Sequence, residues 1–220
     1  MTAQRIKVGV FDSGIGGMSV AEAIQKYMPY LEVVFKDDSE HLPYGDKPVK
    51  EVYGYVLPIL EGLVKEGCQV IVIACNTVTT NLITQLRQKL SVPLVGLEPM
   101  VKPAVEQSKS GIITVCATPA TLKSERYGQL KDAYASGVEV IEPDCSNWTR
   151  MIESHQVDHE FIYSQIDDAC NRGSDVIVLG CTHYHWIEDE IKRAAKGRAI
   201  VLQPEQAVLR RLSQVLEQLG

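Results

Sequence analysis

The sequence predicts an α/β protein of two pseudo-symmetric, three-layer α/β/α lobes with mainly parallel sheets. Three observations carry that prediction. Short β-branched runs alternate with longer helical periods along the whole chain, the pattern of parallel strands joined by helices. The most apolar runs, Val70 to Cys75 and Val176 to Leu179, lack the polar alternation of a half-exposed strand, so both faces of those strands are expected to be covered. Finally, the segment Glu66 to Thr77, EGCQVIVIACNT, matches Arg172 to His183, RGSDVIVLGCTH, without gaps at an offset of 106 residues, with five of twelve positions identical. Each copy reads as a helix closed by Gly, a buried strand, a Cys at the strand's carboxyl end and a polar loop.

The elements follow in order. Ile6 to Phe11 reads as a strand, Gly17 to Tyr27 as a helix stopped before Pro29, and Leu31 to Phe35 as a second strand. Pro48 opens a helix running to about Glu66, with Val49, Val52, Val56, Ile59, Leu60 and Leu63 on one face and Gly67 as its C-terminal cap. Pro58 inside it is expected to kink or split it. Gln69 to Ala74 is an apolar strand. Thr77 to Leu90 is a helix with Val78, Leu82, Ile83, Leu86 and Leu90 on one side, and Pro93 to Leu97 is another strand. In the second half, Ile112 to Val115, Val138 to Ile141, Asp175 to Leu179 and Ala199 to Leu202 read as strands. Pro119 to Tyr134, Asp158 to Arg172 and a stretch after Cys181 ending near Ala195 read as helices. A last amphipathic helix carries Val208, Leu212, Val215, Leu216 and Leu219. The expected lobes are residues 1–96, joined by the C-terminal helix 204–220, and residues 97–203, with Pro93, Gly96 and Pro99 as a hinge.

Composition narrows the function classes. The 220 residues are 45% hydrophobic and 23% charged, enough for a sizeable core without staples, which removes disordered and disulfide-scaffold readings. A formal net charge of −6 disfavours nucleic acid or an anionic membrane as partner. No apolar run approaches the ~20 residues of a membrane span, and Met1 to Val10 lacks the pattern of a secretory signal. The six cysteines, without a C-x-x-C pair, are therefore expected to be reduced thiols in a cytoplasmic protein.

Cys75 and Cys181 are the first candidates for chemistry. Each ends a buried strand and precedes polar residues and a helix N-terminus, whose partial positive charge favours a thiolate. Cys68, Cys116 and Cys170 lack such a loop and read as core residues. In open α/β sheets the carboxyl edge is where ligands bind, so two similar lobes would present two thiols to one cleft. Such a pair suits inversion of a stereocentre: one thiolate takes a proton from carbon, and the opposite thiol returns one to the other face. Without a cofactor, preorganised donors must hold the developing charge. Asp12-Ser13-Gly14-Ile15-Gly16-Gly17, directly after the first strand, makes a tight turn of backbone amides suited to an anion. Ser19 stands where a dinucleotide fingerprint needs its third Gly. Pro43-Tyr44-Gly45, preceded by Asp38 and Ser39, reads as a turn. Cys181, His183 and His185 do not make a persuasive metal set on a helix, and His155 with His159 reads as solvated; no metal is expected.

Phe11 to Gly17, Pro43-Tyr44-Gly45, Ala74-Cys75-Asn76-Thr77 and Gly180-Cys181-Thr182-His183-Tyr184, in this order, together resemble the aspartate/glutamate racemase superfamily, in its glutamate racemase branch. Ala117-Thr118-Pro119-Ala120-Thr121 with Ser124 and Tyr127 resembles that branch's Thr-rich loop, and the likeness runs from about Lys7 to Leu212. The resemblance implies a cofactor-independent racemase of an acidic amino acid, a small-molecule substrate, with a place in peptidoglycan and cell-wall biosynthesis and a possible homodimer. Cys75 would deprotonate the D-enantiomer and Cys181 the L-enantiomer. Asp12 would assist Cys75, and His183 and Glu153 would stand beside Cys181. Ser13, Tyr44, Gly45, Asn76, Thr77, Thr118, Thr121 and Thr182 would hold the substrate. The chain departs from the branch at His41, usually Arg; at Val78 and Thr79, usually small; across Asp144 to Glu153; and at His185 and Trp186. It ends 39 residues after Cys181, sooner than typical members. A bulkier Val78 or Trp186 would favour aspartate over glutamate. A single-cysteine hydrolase or isomerase, built on Cys181 and His183, and a non-catalytic amino-acid-binding protein are the readings of other classes.

Overall fold

The computed structural model describes residues 5–219. The first four residues, part of the stretch read above for an export signal, and Gly220, the end of the predicted C-terminal helix segment, lie outside the described residues. The chain divides into two compact units: one is drawn from the stretch up to Leu97 together with the stretch from Glu205 onward, the other is Glu98–Pro204.

The first unit is built on a parallel sheet in the order β2-β1-β3-β4, from β1 (Lys7–Asp12), β2 (Glu32–Asp37), β3 (Val70–Ile73) and β4 (Leu94–Gly96). Successive strand residues face opposite sides, and the sequence fills both. Val8, Val10, Val70 and Val72 pack on α1 (Met18–Tyr27) and on α10 (Glu205–Glu217), through Val20, Ile24, Val208, Leu212 and Val215. Phe11, Ile71 and Ile73 face the other way, onto α2 (Val49–Lys65) and α3 (Asn76–Lys89), meeting Val56, Leu60, Leu63, Val78 and Leu82. The sheet is thus the middle of three layers, and all four residues of β3 are fully buried.

The helices keep the predicted order with local corrections. α2 runs unbroken through Pro58. Pro58 and Gly54, whose carbonyl Pro58 cannot serve, both lie on the exposed side, where water can satisfy the carbonyl, so the helix does not split. Of its predicted apolar face, Val49 is exposed, and Val52, Val56, Leu60 and Leu63 are buried. Gly67, at φ +89°, closes α2: its amide donates to the Val64 carbonyl and that of Cys68 to the Leu63 carbonyl. Leu219 is exposed and falls beyond α10.

The second unit repeats the plan, with sheet order β6-β5-β7-β8, again parallel: β5 (Ile112–Ala117), β6 (Glu139–Ile141), β7 (Val176–Gly180) and β8 (Ile200–Leu202). Ile113, Val115, Val176 and Val178 pack on α4 (Val101–Gln107) and α6 (Glu125–Tyr134). Cys116, Ile177 and Leu179 pack on the opposite side, with Trp148 and Ile152 of α7 (Trp148–Glu153), Ile162 and Ile166 of α8 (His159–Asn171), and Ile191 of α9 (Glu188–Ala195). Gly173, at φ +97°, closes α8 through Gly173 N–H to Cys170 and Ser174 N–H to Ala169. This is the same cap as at Gly67, so the internal echo of the sequence is an echo of structure.

The sequence left α4 and α7 unassigned. The predicted helix Pro119 to Tyr134 is two, α5 (Pro119–Leu122) and α6, because Ser124 turns out of the helix to cap the second with its hydroxyl on the Tyr127 amide. The predicted helix after Cys181 begins as a 3-10 stretch, Thr182–Ile187, before α9. Among the described residues no helix is long and apolar enough to cross a membrane.

Candidate active site

In the first unit the pairing of β1 with β3 sets Phe11 beside Ile73, and the Ala74 amide donates to the Phe11 carbonyl at 2.7 Å. Asp12–Ser13 and Ala74–Cys75 therefore leave the sheet side by side at its carboxyl edge. Cys75 is buried at the N-cap of α3, and its thiol lies 3.4 Å from the Ser13 hydroxyl. Asp12 is fully buried, and its carboxylate accepts the Gly17 amide at 2.8 Å. A side chain at Gly17 would put its Cβ 2.4 Å from the Asp12 Cβ, so the glycine lets the turn close on the carboxylate. Gly96, offered above as a hinge, is accounted for by packing, since a Cβ there would fall 2.5 Å from Ile83 and Thr79.

Asn76, the first residue of α3, is 3% exposed, and both its amide nitrogen and its oxygen are buried without a hydrogen-bond partner. Unmatched buried polar atoms of this kind cost about 1–3 kcal/mol each, and Asn76 directly follows Cys75 in the chain. Thr77 is buried beside it. Tyr44 is buried in the same cluster as Cys75 and donates its hydroxyl to Asp38 at 2.5 Å. Burial first, and the Asp38 carboxylate second, hold the phenol protonated. Asp38 also receives His41 Nδ1 at 2.7 Å, and the His41 ring stacks on Tyr55 at 3.8 Å. Asp38 and His41 thus fix Tyr44. Gly45 lies in the short 3-10 turn Tyr44–Asp46.

The second unit builds a matching edge. Ala117 pairs with Gly180, so Thr118 and Cys181 emerge side by side. A Cβ on Gly180 would come within 2.9 Å of the Ala117 Cβ, which is why this crossing needs glycine. Thr118 caps α5: its hydroxyl oxygen accepts the Thr121 amide at 3.3 Å, and its own proton goes to the Thr121 hydroxyl at 3.0 Å. These two candidate binding residues therefore also shape their loop. Cys181 is 8% exposed and caps the 3-10 stretch. Its sulfur lies 3.8 Å from His183 Nδ1, and His183 Nε2 donates to Glu153 at 2.5 Å. His183 comes first among the groups that hold the Glu153 carboxyl below its ordinary range. The other ring nitrogen, Nδ1, faces the thiol. Thr182 is buried beside them.

Other cysteines and histidines behave as core or surface. Burial pushes the Cys145 thiol well up, and burial also raises Cys68 and Cys170. His155 and His159 are exposed, and His159 meets Glu190 at 2.8 Å. Among the described residues no group of three or more His, Cys, Asp or Glu is placed to hold a metal ion. Val78 is fully buried in the core, and Trp186 is exposed. Two site neighbours escaped the sequence reading. Asp38 was seen only as preceding a turn. Thr149, on the unassigned α7, brings its hydroxyl within 4.0 Å of the Cys181 sulfur. The unusual composition of the segment 144–153 was the only signal for it.

Residues 19–212 match the model of the Asp/Glu/Hydantoin racemase family. The glutamate racemase of Ralstonia pickettii is 37% identical, over 100% of this chain and 79% of that protein. Among solved structures, Escherichia coli glutamate racemase in complex with L-glutamate and the activator UDP-MurNAc-ala gives a TM-score of 0.85 at 28% identity, over 97% of this chain and 83% of that one. A Bacillus anthracis glutamate racemase, isoform RacE1, gives 0.82 at 27% identity, over 98% and 83%. A fold built twice, a thiol at the same edge of each sheet and relatives of this extent agree: the chain belongs to the Asp/Glu/Hydantoin racemase family, as an enzyme of the amino-acid racemase class.

Proposed function

We propose that this enzyme interconverts L- and D-glutamate without a cofactor, using Cys75 and Cys181 as the two proton-transferring groups. The observation that carries the reading is the repeated edge: a fully buried strand delivers one thiol in each unit, and each thiol has its own polar neighbours. A thiolate takes the proton from Cα and becomes a thiol. The electron pair left on Cα is delocalised onto the substrate carboxylate. The other thiol gives its proton to the opposite face and becomes a thiolate. The products are the mirror-image amino acid and a pair of thiols with exchanged protonation, which the reverse reaction restores.

The neighbours divide the work. His183, with Nδ1 toward sulfur and Nε2 on Glu153, accepts the Cys181 proton as the thiolate forms. Asp12 orders the turn beside Cys75. The unmatched amide of Asn76 offers one donor and one acceptor to the polar groups of a substrate, and Ser13, Tyr44, Gly45, Thr77, Thr118, Thr121 and Thr182 complete the binding set. Glutamate is the substrate named for the relatives above, which supports it here. Aspartate differs by one methylene, worth only about 1–3 kcal/mol of discrimination.

The test is proton NMR of L-glutamate and of L-aspartate in deuterated buffer. Loss of the Cα–H signal with appearance of the D-product is expected for glutamate. Cys75→Ser and Cys181→Ser should each abolish racemisation. Full activity of Cys75→Ser would point instead to a single-thiol enzyme built on Cys181 and His183, and exchange confined to aspartate would move the substrate.

A further inference from the structure

We propose that Thr149 is a positioning residue for the second thiol, its hydroxyl donating to the Cys181 sulfur once that is a thiolate. The inference rests on the reading of Cys181 as a proton-transferring group. Thr149 and Glu153 are four residues apart on α7 and so share a face. Glu153 meets His183, which flanks Cys181, while Thr149 Oγ1 is buried and lies 4.0 Å from the sulfur itself.

The hydrogen bonds around Thr149 leave its hydroxyl available for this task. A helical threonine commonly turns its hydroxyl back to the carbonyl four residues earlier, here that of Cys145. That carbonyl already accepts the Trp148 amide at 3.2 Å and the Tyr184 hydroxyl at 3.2 Å, which fills both lone pairs. Tyr184, fully buried, spends its proton there. A hydroxyl has one proton and two acceptor sites. The Cys181 proton passes to His183, which leaves the Thr149 O–H as the donor of the Thr149–Cys181 pair. Rotation about one bond turns that O–H onto sulfur, and Tyr184 keeps its bond to Cys145.

The other groups around Cys181 respond differently. His183 faces it directly, and Glu153 acts through His183. Cys145, Cys116 and Tyr184 share its core cluster, and burial holds Cys145 and Tyr184 in their neutral forms. Thr149 adds a hydroxyl proton within reach of an anionic sulfur.

The test compares Thr149→Val, which keeps the shape and removes the hydroxyl, with Thr149→Ser, which keeps the hydroxyl. Alkylation of Cys181 by iodoacetamide is followed across pH by mass spectrometry of the Cys181 peptide, on protein shown to be folded by circular dichroism. This readout needs no turnover. Losing a donor to the thiolate should raise the midpoint of alkylation by about one pH unit in Thr149→Val, and Thr149→Ser should stay near the parent. If Thr149→Val does not fold, Thr149→Ala, also without a hydroxyl, takes its place. An unchanged midpoint, or equal shifts in the Val and Ser variants, overturns the proposal. In a second arm, primary isotope effects on kcat/KM are measured with both enantiomers of 2-deuterated glutamate. Because the equilibrium constant of racemisation is one, kcat/KM stays equal in the two directions, but the isotope effects should move in opposite senses in Thr149→Val and return in Thr149→Ser. Wild-type protein without racemase activity would sink the functional reading, while the alkylation arm would still judge Thr149.

Discussion

At the scale of single residues, the His183–Glu153 pair carries a pH signature. His183 holds the Glu153 carboxyl below its ordinary value. A depressed folded-state pKa means that the contribution to stability is present above the unfolded value of about 4.3 and is lost as pH falls through the folded value. Glu153→Gln should therefore lower the melting temperature at pH 7, and the deficit relative to the parent should shrink on acidification below about pH 4. A deficit that stays constant across that range in thermal melts would show that the pair contributes no charge-dependent stability. The same scale shows what was legible beforehand. Cys75 and Cys181 stood out because each follows a strand and precedes polar residues, a local pattern. Thr149 did not, because its partner lies 32 positions away and no period in the sequence marks a contact made by a single turn of helix. Asp38 lay in plain view before Pro43-Tyr44-Gly45, but only the fold shows that its carboxylate receives both Tyr44 and His41.

At the scale of elements, α2 allows a paired experiment on one helix. Gly62 lies inside it with nothing within 4 Å of an added Cβ, whereas Gly67 closes it at φ +89°. Gly62→Ala should stabilise the protein by about 0.5–1 kcal/mol, and Gly67→Ala should destabilise it by about 1–2 kcal/mol. Urea denaturation of the two variants checks both signs, and the same sign for both would refute the account. Long elements with a sustained period were readable: α2, α3 and α8 appear within a residue or two of their predicted limits. Short ones were not. α4 spans seven residues with Pro103 in its first turn, and α7 spans six, too few to establish a repeat. The break between α5 and α6 was masked because Ser124 reads as an ordinary helical residue until its hydroxyl is seen on the Tyr127 amide. Likewise, composition alone does not separate the 3-10 stretch after Cys181 from the α-helix that continues it.

At the scale of the whole molecule, each unit has cores of its own on both faces of its sheet. Leu212, on α10, is fully buried in the first unit, and Ile166, on α8, is fully buried in the second. Leu212→Ala and Ile166→Ala should each cost about 2–5 kcal/mol. Hydrogen exchange read by peptide mass spectrometry should show the loss of protection centred on the first unit for Leu212→Ala and on the second for Ile166→Ala. Equal loss in both units for either variant would mean that they unfold as one. The return of α10 to the first sheet, where Val208, Leu212 and Val215 cover Val8 and Val72, also has a temporal consequence. On the ribosome the second unit is one uninterrupted stretch, so all its strands and helices are available before α10 emerges. The strands of the first unit precede it, but the sheet face shared by α1 and α10 is only partly covered until α10 emerges. A unit whose strands are made before the second unit is thus completed after it, and the apolar surface that α10 covers stays open to a chaperone, or to aggregation, over that interval.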